Sequence, residues 1–265
     1  MNKPTTAIPE LIIPDQPLAP NVVVGTSTRV GGFSDAPWDS LNLGLNGGDD
    51  EPTVQRNRSH LAAHFQMSPP VWLNQCHTTQ VLGLPDGAAL PGASGDYVSA
   101  YDAAWTNQVD RVLVVLTADC LPVVIASQDG SEVAVAHAGW RGLAGGILER
   151  TVGSFSGAPD TLSVWLGPAI GPQCFEVGDD VLDAFIAKTD ATSETRAAFV
   201  ATGQTGKWLA DLYQLARLRL TALGVSNLTG GTHCTFTESS RFFSYRRDGS
   251  ASGRMGTFVW IRPAG

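Results

Sequence analysis

Two histidines and one cysteine are the residues of this chain best suited to chemistry: His77, Cys120 and His137. Imidazole nitrogen and thiolate sulfur are preferred ligands of zinc, and a set of two His and one Cys leaves a fourth tetrahedral position for water or substrate. An ion held in this way brings the pKa of a bound water near neutrality. Cys120 and His137 also suit a metal-free pair of nucleophile and base. The two readings demand different states of Cys120, a coordinated thiolate or a free one. A metal that only holds the fold needs a closed set of four ligands. Cys76 is the one neighbour able to complete such a set, and on a strand it faces away from His77. His77 precedes Cys120 by 43 residues, and Cys120 precedes His137 by 17. That spacing forms no contiguous motif, so these readings stay open beside a plainer one, in which Cys120 is a small buried apolar residue.

The three lie in segments flanked by Gly or Pro: Asn74-Gln75-Cys76-His77, Thr117-Ala118-Asp119-Cys120-Leu121-Pro122, and Ala136-His137-Ala138-Gly139-Trp140-Arg141-Gly142. Each reads as the end of a strand, where open α/β sheets place their ligands. Arg141 falls at the start of a predicted helix, which suits an anion, or else it is a solvated arginine. Asp119, next to Cys120, is a candidate proton carrier or a group supporting the site. Gly167-Pro168-Ala169-Ile170-Gly171-Pro172 is a stiff loop that lines a pocket or turns the chain; Cys174 and Glu176 beyond it are weaker candidates. Phe242, Phe243 and Tyr245, before Arg246 and Arg247, suit stacking on an aromatic ligand, or else a strand core.

Positioning these residues requires a sheet-rich scaffold. Residues 21–28, 71–73, 111–117, 122–126, 132–136, 161–166, 241–245 and 257–261 read as strands. The run 111–117 (RVLVVLT) has the pattern of a strand covered on both faces. Helices are expected over 53–65, 142–155, 181–188 and 207–223, with loop over 31–50. The whole reads as α/β, one compact domain over 21–265 with a layered mixed sheet flanked by helices. The proline-rich residues 1–20 are expected to run over its surface.

Composition narrows the functions. With 43% hydrophobic and 16% charged residues the chain suits a globular protein. Its 17 basic against 25 acidic residues, net charge −8, include no basic track for nucleic acid. No apolar run approaches the roughly 20 residues that span a bilayer. The N-terminus lacks the apolar core of a secretory signal, so a cytoplasmic protein is expected. The four cysteines, at 76, 120, 174 and 234, form no CxxC pair and are expected as free thiols. Oligomeric state is not readable.

The motifs together resemble the YfiH family, also described as laccase-domain or polyphenol-oxidase-like proteins, peptidoglycan editing factors and purine nucleoside phosphorylases. The resemblance rests on the three segments above and on Thr28-Arg29-x-Gly31-Gly32-x-Ser34, Ser40-Leu41-Asn42-Leu43-Gly44, Gly48-Asp49-Asp50 and Asn57-Arg58. It continues in Gly167-Pro168-x-Ile170-Gly171-Pro172, Phe243-Ser244-Tyr245-Arg246-Arg247-Asp248 and Gly253-Arg254. It implies a layered α/β fold with zinc held by His77, Cys120 and His137. It implies phosphorolysis of adenosine, inosine, guanosine and methylthioadenosine, with adenosine deamination beside it. The expected partners are therefore a purine nucleoside and phosphate. Arg141, then Arg58 and Arg246, are the candidates for phosphate, because arginine is permanently charged and bidentate. Asp119, Arg141 and Arg58 are assigned to catalysis; Arg29, Gln75, Phe243 and Arg246 to substrate binding. The chain departs from the family's pattern at Cys76 and Thr78, where Val and Gly are common. The older label, a copper oxidase of phenols, sits poorly with five histidines, since multicopper clusters consume many imidazoles. A single copper at the same three ligands is the form of it that survives.

Overall fold

The computed structural model describes residues 8–89, 98–188 and 192–263. Residues 1–7 of the expected surface segment lie outside it. In chain order the strands begin with β1 (Leu11–Ile12), β2 (Val22–Ser27), β3 (Val71–Asn74), β4 (Val81–Leu84) and β5 (Val98–Ser99). There follow β6 (Ala103–Thr106), β7 (Leu113–Thr117), β8 (Leu121–Ser127), β9 (Val133–Ala138) and β10 (Leu162–Leu166). The series closes with β11 (Glu176–Gly178), β12 (Phe199–Ala201), β13 (Lys207–Ala210), β14 (Asn227–Gly230) and β15 (Met255–Ile261). The α-helices are α1 (Glu51–His64), α2 (Trp140–Gly145), α3 (Ile147–Val152), α4 (Asp179–Ile186), α5 (Thr192–Ala197), α6 (Leu212–Ala222) and α7 (Tyr245–Asp248).

Two mixed six-stranded sheets form the centre. Their orders are β1-β2-β15-β7-β3-β5 and β14-β10-β8-β9-β6-β4, and a small sheet β11-β13-β12 stands beside them. Every residue of β8 is buried, and its side chains divide by parity. Val124 and Ala126 join the layer between the large sheets, with Val24, Leu113, Val115 and Val259. Val123 and Ile125 face the other way, onto Leu143, Ile147 and Leu148 of the helices. On the outer face of the first sheet, Val114 and Phe258 pack on Leu61 of α1. The layering is therefore helix, sheet, sheet, helix. A strand with apolar groups on both sides is the pattern of a sheet with no wet face. No helix among the described residues is long and apolar enough to cross a membrane.

Three expected elements are corrected. Residues 142–155 form two helices, because Gly146, at φ 101°, breaks the run between α2 and α3. Residues 207–223 split into β13 and α6 at Asp211, whose carboxylate caps α6 by accepting from the Gln214 N–H. Residues 241–245 form no strand. Phe242 and Phe243 anchor a turn in the core, and the Ser244 hydroxyl accepts from the Arg247 N–H to start α7. A run of aromatics has the composition of a strand, but the local hydrogen bonds go to a cap.

Candidate metal centre and its cleft

The pairing of strands brings the three candidate ligands to one end of the molecule. In the second sheet, β9 runs antiparallel to both β8 and β6, with Pro122 opposite His137 and Ala103 opposite Ala136. The end of β9 therefore meets the starts of β8 and β6, which places His137 beside Cys120 and Asp102. Cys120 lies in the crossing from β7 of the first sheet to β8 of the second. His77 arrives from the first sheet, three residues beyond β3. The site thus sits where the two sheets meet.

His77, Cys120 and His137 each offer a ligand atom, and these atoms lie within 4.8 Å of one another. His77 Nε2 is 3.8 Å from Cys120 Sγ, and the two imidazoles meet edge to face with ring centroids 4.8 Å apart. Metal–ligand lengths of about 2.0–2.1 Å for nitrogen and about 2.3 Å for sulfur put tetrahedral N and S atoms about 3.5 Å apart, close to what is seen. Gly139 supplies a second test. A Cβ there would lie 2.8 Å from His77 Cδ2 and 3.1 Å from Cys120 Sγ, so the ligands close in over a position that only glycine leaves open. The residues fit a three-ligand ion. Cys76 does not complete the set: it is exposed, outside any strand, and its thiol donates weakly to the Asn74 carbonyl at 3.5 Å. Among the described residues this is the one such grouping of three or more ligand side chains. His60 and His64 lie on α1, and His233 pairs with Glu238.

The electrostatics suit a coordinated thiolate. Burial pushes the Cys120 thiol up, but the imidazoles of His137 and His77 outweigh it and bring the pKa to about 6. Burial pushes His137 down, yet Cys120 and the Asp102 carboxylate hold it up at about 9. Asp102 is itself fully buried and accepts from His137 Nδ1 at 2.8 Å. Burial raises its pKa, but the bonds from His137 and Thr78 outweigh that and lower it to about 2. With Nδ1 committed to Asp102, His137 turns Nε2 toward the ligand cluster. The sequence reading missed Asp102. It stands alone before the short strand Ala103–Thr106, with no Gly or Pro to mark it, and only the β6–β9 pairing reveals its neighbour.

A cleft of about 550 Å³ opens over this centre. Arg141, Arg246, Arg254, Trp140, Phe175 and Tyr245 are among its lining residues, with Gln75, Asp119 and the three ligands. Arg141 is exposed and its guanidinium stacks 4.2 Å from the Trp140 ring centroid. Among the described residues no carboxylate pairs with it. Its helix has only six residues, so the anion preference rests on the guanidinium itself rather than on a helix end. Arg246 reaches the Glu176 carbonyl at 2.8 Å. Gln75 lines the cleft, but its amide group exchanges two 2.7 Å bonds with the Leu116 backbone. The Asp119 carboxylate, at φ 84°, accepts from Thr235 Oγ1 (2.6 Å), Ser244 Oγ (3.0 Å) and the Arg246 N–H (2.6 Å).

Three predicted site residues stand away from the cleft lining. Arg58 is buried against the Trp72 ring, 3.7 Å from its centroid, and donates to the Leu43 carbonyl at 2.9 Å. Arg29 lines a separate small depression, where it pairs with Asp39 and donates to the Ser239 carbonyl. Phe243 is fully buried in the layer between the sheets, with the Arg29 guanidinium over its ring. Of the aromatic run, Tyr245 alone is in the cleft, and it is 53% exposed.

Comparisons with known proteins bear on the family and the fold. The family model described as multi-copper polyphenol oxidoreductase laccase matches residues 23–262. The purine nucleoside phosphorylase YfiH of Escherichia coli K12 is 47% identical over 253 residues, 95% of this chain and 99% of that one. A purine nucleoside phosphorylase of Pseudomonas aeruginosa is 45% identical over 251 residues, 95% of this chain and 98% of its own. Among solved structures, a Neisseria meningitidis protein superposes with a TM-score of 0.87 at 43% identity, over 96% of this chain and 99% of its own. YlmD of Geobacillus stearothermophilus gives 0.89 at 31% identity, over 99% and 98%. Matched along nearly its whole length in sequence and in fold, the chain belongs to the YfiH family of laccase-like proteins.

Proposed function

We infer that the protein is a purine nucleoside phosphorylase with zinc at His77, Cys120 and His137. The observation that carries this reading is an open three-ligand centre on the wall of a cleft that also holds an unpaired arginine and exposed aromatic surface. Relatives at 45–47% identity bear the same activity in their names. A cleft of about 550 Å³ is the right size for a nucleoside with phosphate beside it.

Phosphorolysis moves an oxygen of phosphate onto the anomeric carbon while the bond to the purine nitrogen breaks, its electron pair leaving with the base. Arg141 holds the phosphate through a bidentate contact, with Arg246 alongside. Tyr245 and Trp140 offer faces for the purine. The Asp119 carboxylate serves as a holder rather than a proton carrier. Two of its donors, the Ser244 hydroxyl and the Arg246 N–H, lie at the start of α7, so it fixes the position of Arg246. When bound, the ion supplies Lewis acidity and a position for a substrate or water oxygen. Copper at the same ligands is the competing identity, and metal analysis of protein purified without added metal decides it.

The test is incubation with adenosine, inosine, guanosine and methylthioadenosine, with and without phosphate, and identification of the products. Free base together with ribose 1-phosphate, or 5-methylthioribose 1-phosphate from methylthioadenosine, formed only with phosphate, is the expected result. Inosine formed from adenosine without phosphate would identify deamination as a second activity. Zinc-loaded protein that releases no base from any of the four nucleosides overturns the reading.

A further inference from the structure

The Asp102 carboxylate receives hydrogen bonds from both histidine-bearing segments. Its Oδ1 accepts from His137 Nδ1 at 2.8 Å and from the His77 N–H at 3.0 Å. Its Oδ2 accepts from the Thr78 N–H at 2.6 Å, the Thr78 hydroxyl at 2.8 Å and the Cys76 N–H at 3.2 Å. Three successive backbone N–H groups, 76 to 78, therefore wrap one buried anion in the manner of a backbone nest. His77 is the middle of that nest and sits at φ 58°. Left-handed backbone is uncommon for a residue with a side chain and persists only where surroundings hold it. Here the surroundings are the carboxylate. Asp102 is in turn fixed from β9, because its own carbonyl accepts from the His137 N–H at 2.6 Å.

We propose that Asp102 is the positioning residue of the metal centre, forming the turn that presents His77 and setting the ring of His137. The proposal rests on the metal reading of this site. A single carboxylate thus aims both imidazoles before an ion arrives. Their approach does not depend on local sequence, since 60 residues separate His77 from His137. The Thr78 hydroxyl shares the task, because it closes the nest on the side away from His137. Carboxylate partners of ligating histidines fix tautomer and orientation, and their loss weakens metal affinity about 10- to 100-fold. An Asp102 that serves two histidines puts its replacement at the upper end of that range.

The experiment is a zinc titration of metal-stripped protein against a chromophoric chelator, with a thermal melt of each variant. Asp102→Asn keeps the size of the side chain but changes one acceptor oxygen into a donor. It is expected to weaken zinc about 100-fold. Thr78→Ala is expected to weaken it roughly 2- to 10-fold, the worth of one hydrogen bond. Long-range ¹⁵N–¹H spectra of the zinc-loaded wild type are expected to show His137 protonated at Nδ1 and ligated through Nε2. A folded Asp102→Asn that binds zinc within twofold of wild type overturns the proposal. Should that variant fail to fold, unchanged affinity in Thr78→Ala, or ligation of His137 through Nδ1, overturns it instead. Wild-type protein that takes up no zinc fails in a different way, since the metal reading then falls and this proposal with it.

Discussion

The wall of the cleft that carries His77, Cys120 and His137 is built from strand ends, whereas the arginine-bearing part of the lining places Arg141 and Arg246 on helices of six and four residues. His137 is 3% exposed and Asp102 is fully buried, with every oxygen of its carboxylate engaged. Arg141 and Arg246 are exposed, and Tyr245 beside them is 53% exposed. The first wall is fixed by sheet register, and its geometry exists before anything binds. The second is made of long side chains that adjust to what arrives. A metal tolerates little error in ligand placement, while a phosphate can be reached by several arginine rotamers. The division suits one wall for chemistry and one for capture.

Breaking the first wall should have the largest effect. Cys120→Ala removes the one anionic ligand, and zinc uptake and nucleoside cleavage should both fall to background, read by metal analysis and by product formation. Gly139→Ala leaves every ligand in place but drives a methyl into His77 and Cys120. Overpacking of this kind costs about 1–3 kcal/mol, which should appear as roughly a 5- to 150-fold loss of zinc affinity with a melting temperature little changed. An equal loss of stability with zinc affinity intact would show that Gly139 matters to folding and not to the centre.

The second wall should break more gently. Arg141→Ala should raise the KM for phosphate about 10- to 100-fold, the worth of a charge-assisted hydrogen bond, with zinc content unchanged. Arg141→Lys should recover part of it, because a point charge replaces a fork. A KM shift for nucleoside instead would move Arg141 to the sugar or base.

Protons provide a quieter test of the first wall. In metal-free protein at pH 7.5, Cys120, at about 6, is already a thiolate, and His137, at about 9, is still protonated. Loading an ion then requires His137 to give up its proton, while the Cys120 thiolate has none to lose. This pair should release about one proton per ion in weakly buffered solution. Absorbance near 240 nm in the metal-free protein should rise with a midpoint of about 6 and be missing in Cys120→Ser. Release of two protons would mean a neutral thiol and would remove the thiolate–imidazolium pair. The smallest effect on activity is expected from Arg58→Ala. Loss of the contacts to Trp72 and Leu43 should destabilise the fold by about 1–3 kcal/mol and leave KM values alone, read by a denaturant midpoint and steady-state kinetics.

These two walls were not equally legible. The strands that carry the ligands show in sequence because they are buried on both faces. Residues 111–117 form a near-continuous apolar run and 122–126 a continuous one, and β7 and β8 fall within a residue or two of them. Cys120 stands out in the gap between them. The arginine wall depends on breaks that composition blurs. Gly146 cuts one helix into two, and Ser244 turns an aromatic run into a cap. Arg58 and Arg29 share with Arg141 the residue type that suits phosphate, and their packing on Trp72 and Phe243 leaves no trace in local pattern.

The sequence alone determined the scaffold's character and the short list of ligands, because burial on two faces and the rarity of His and Cys are both written in residue types. Tertiary structure decided which residues meet. Asp102 and His137 are 35 residues apart, and only the register of β6 on β9 makes them neighbours. Register is a property of paired strands, set by the pleat of both at once, and neither strand carries it by itself.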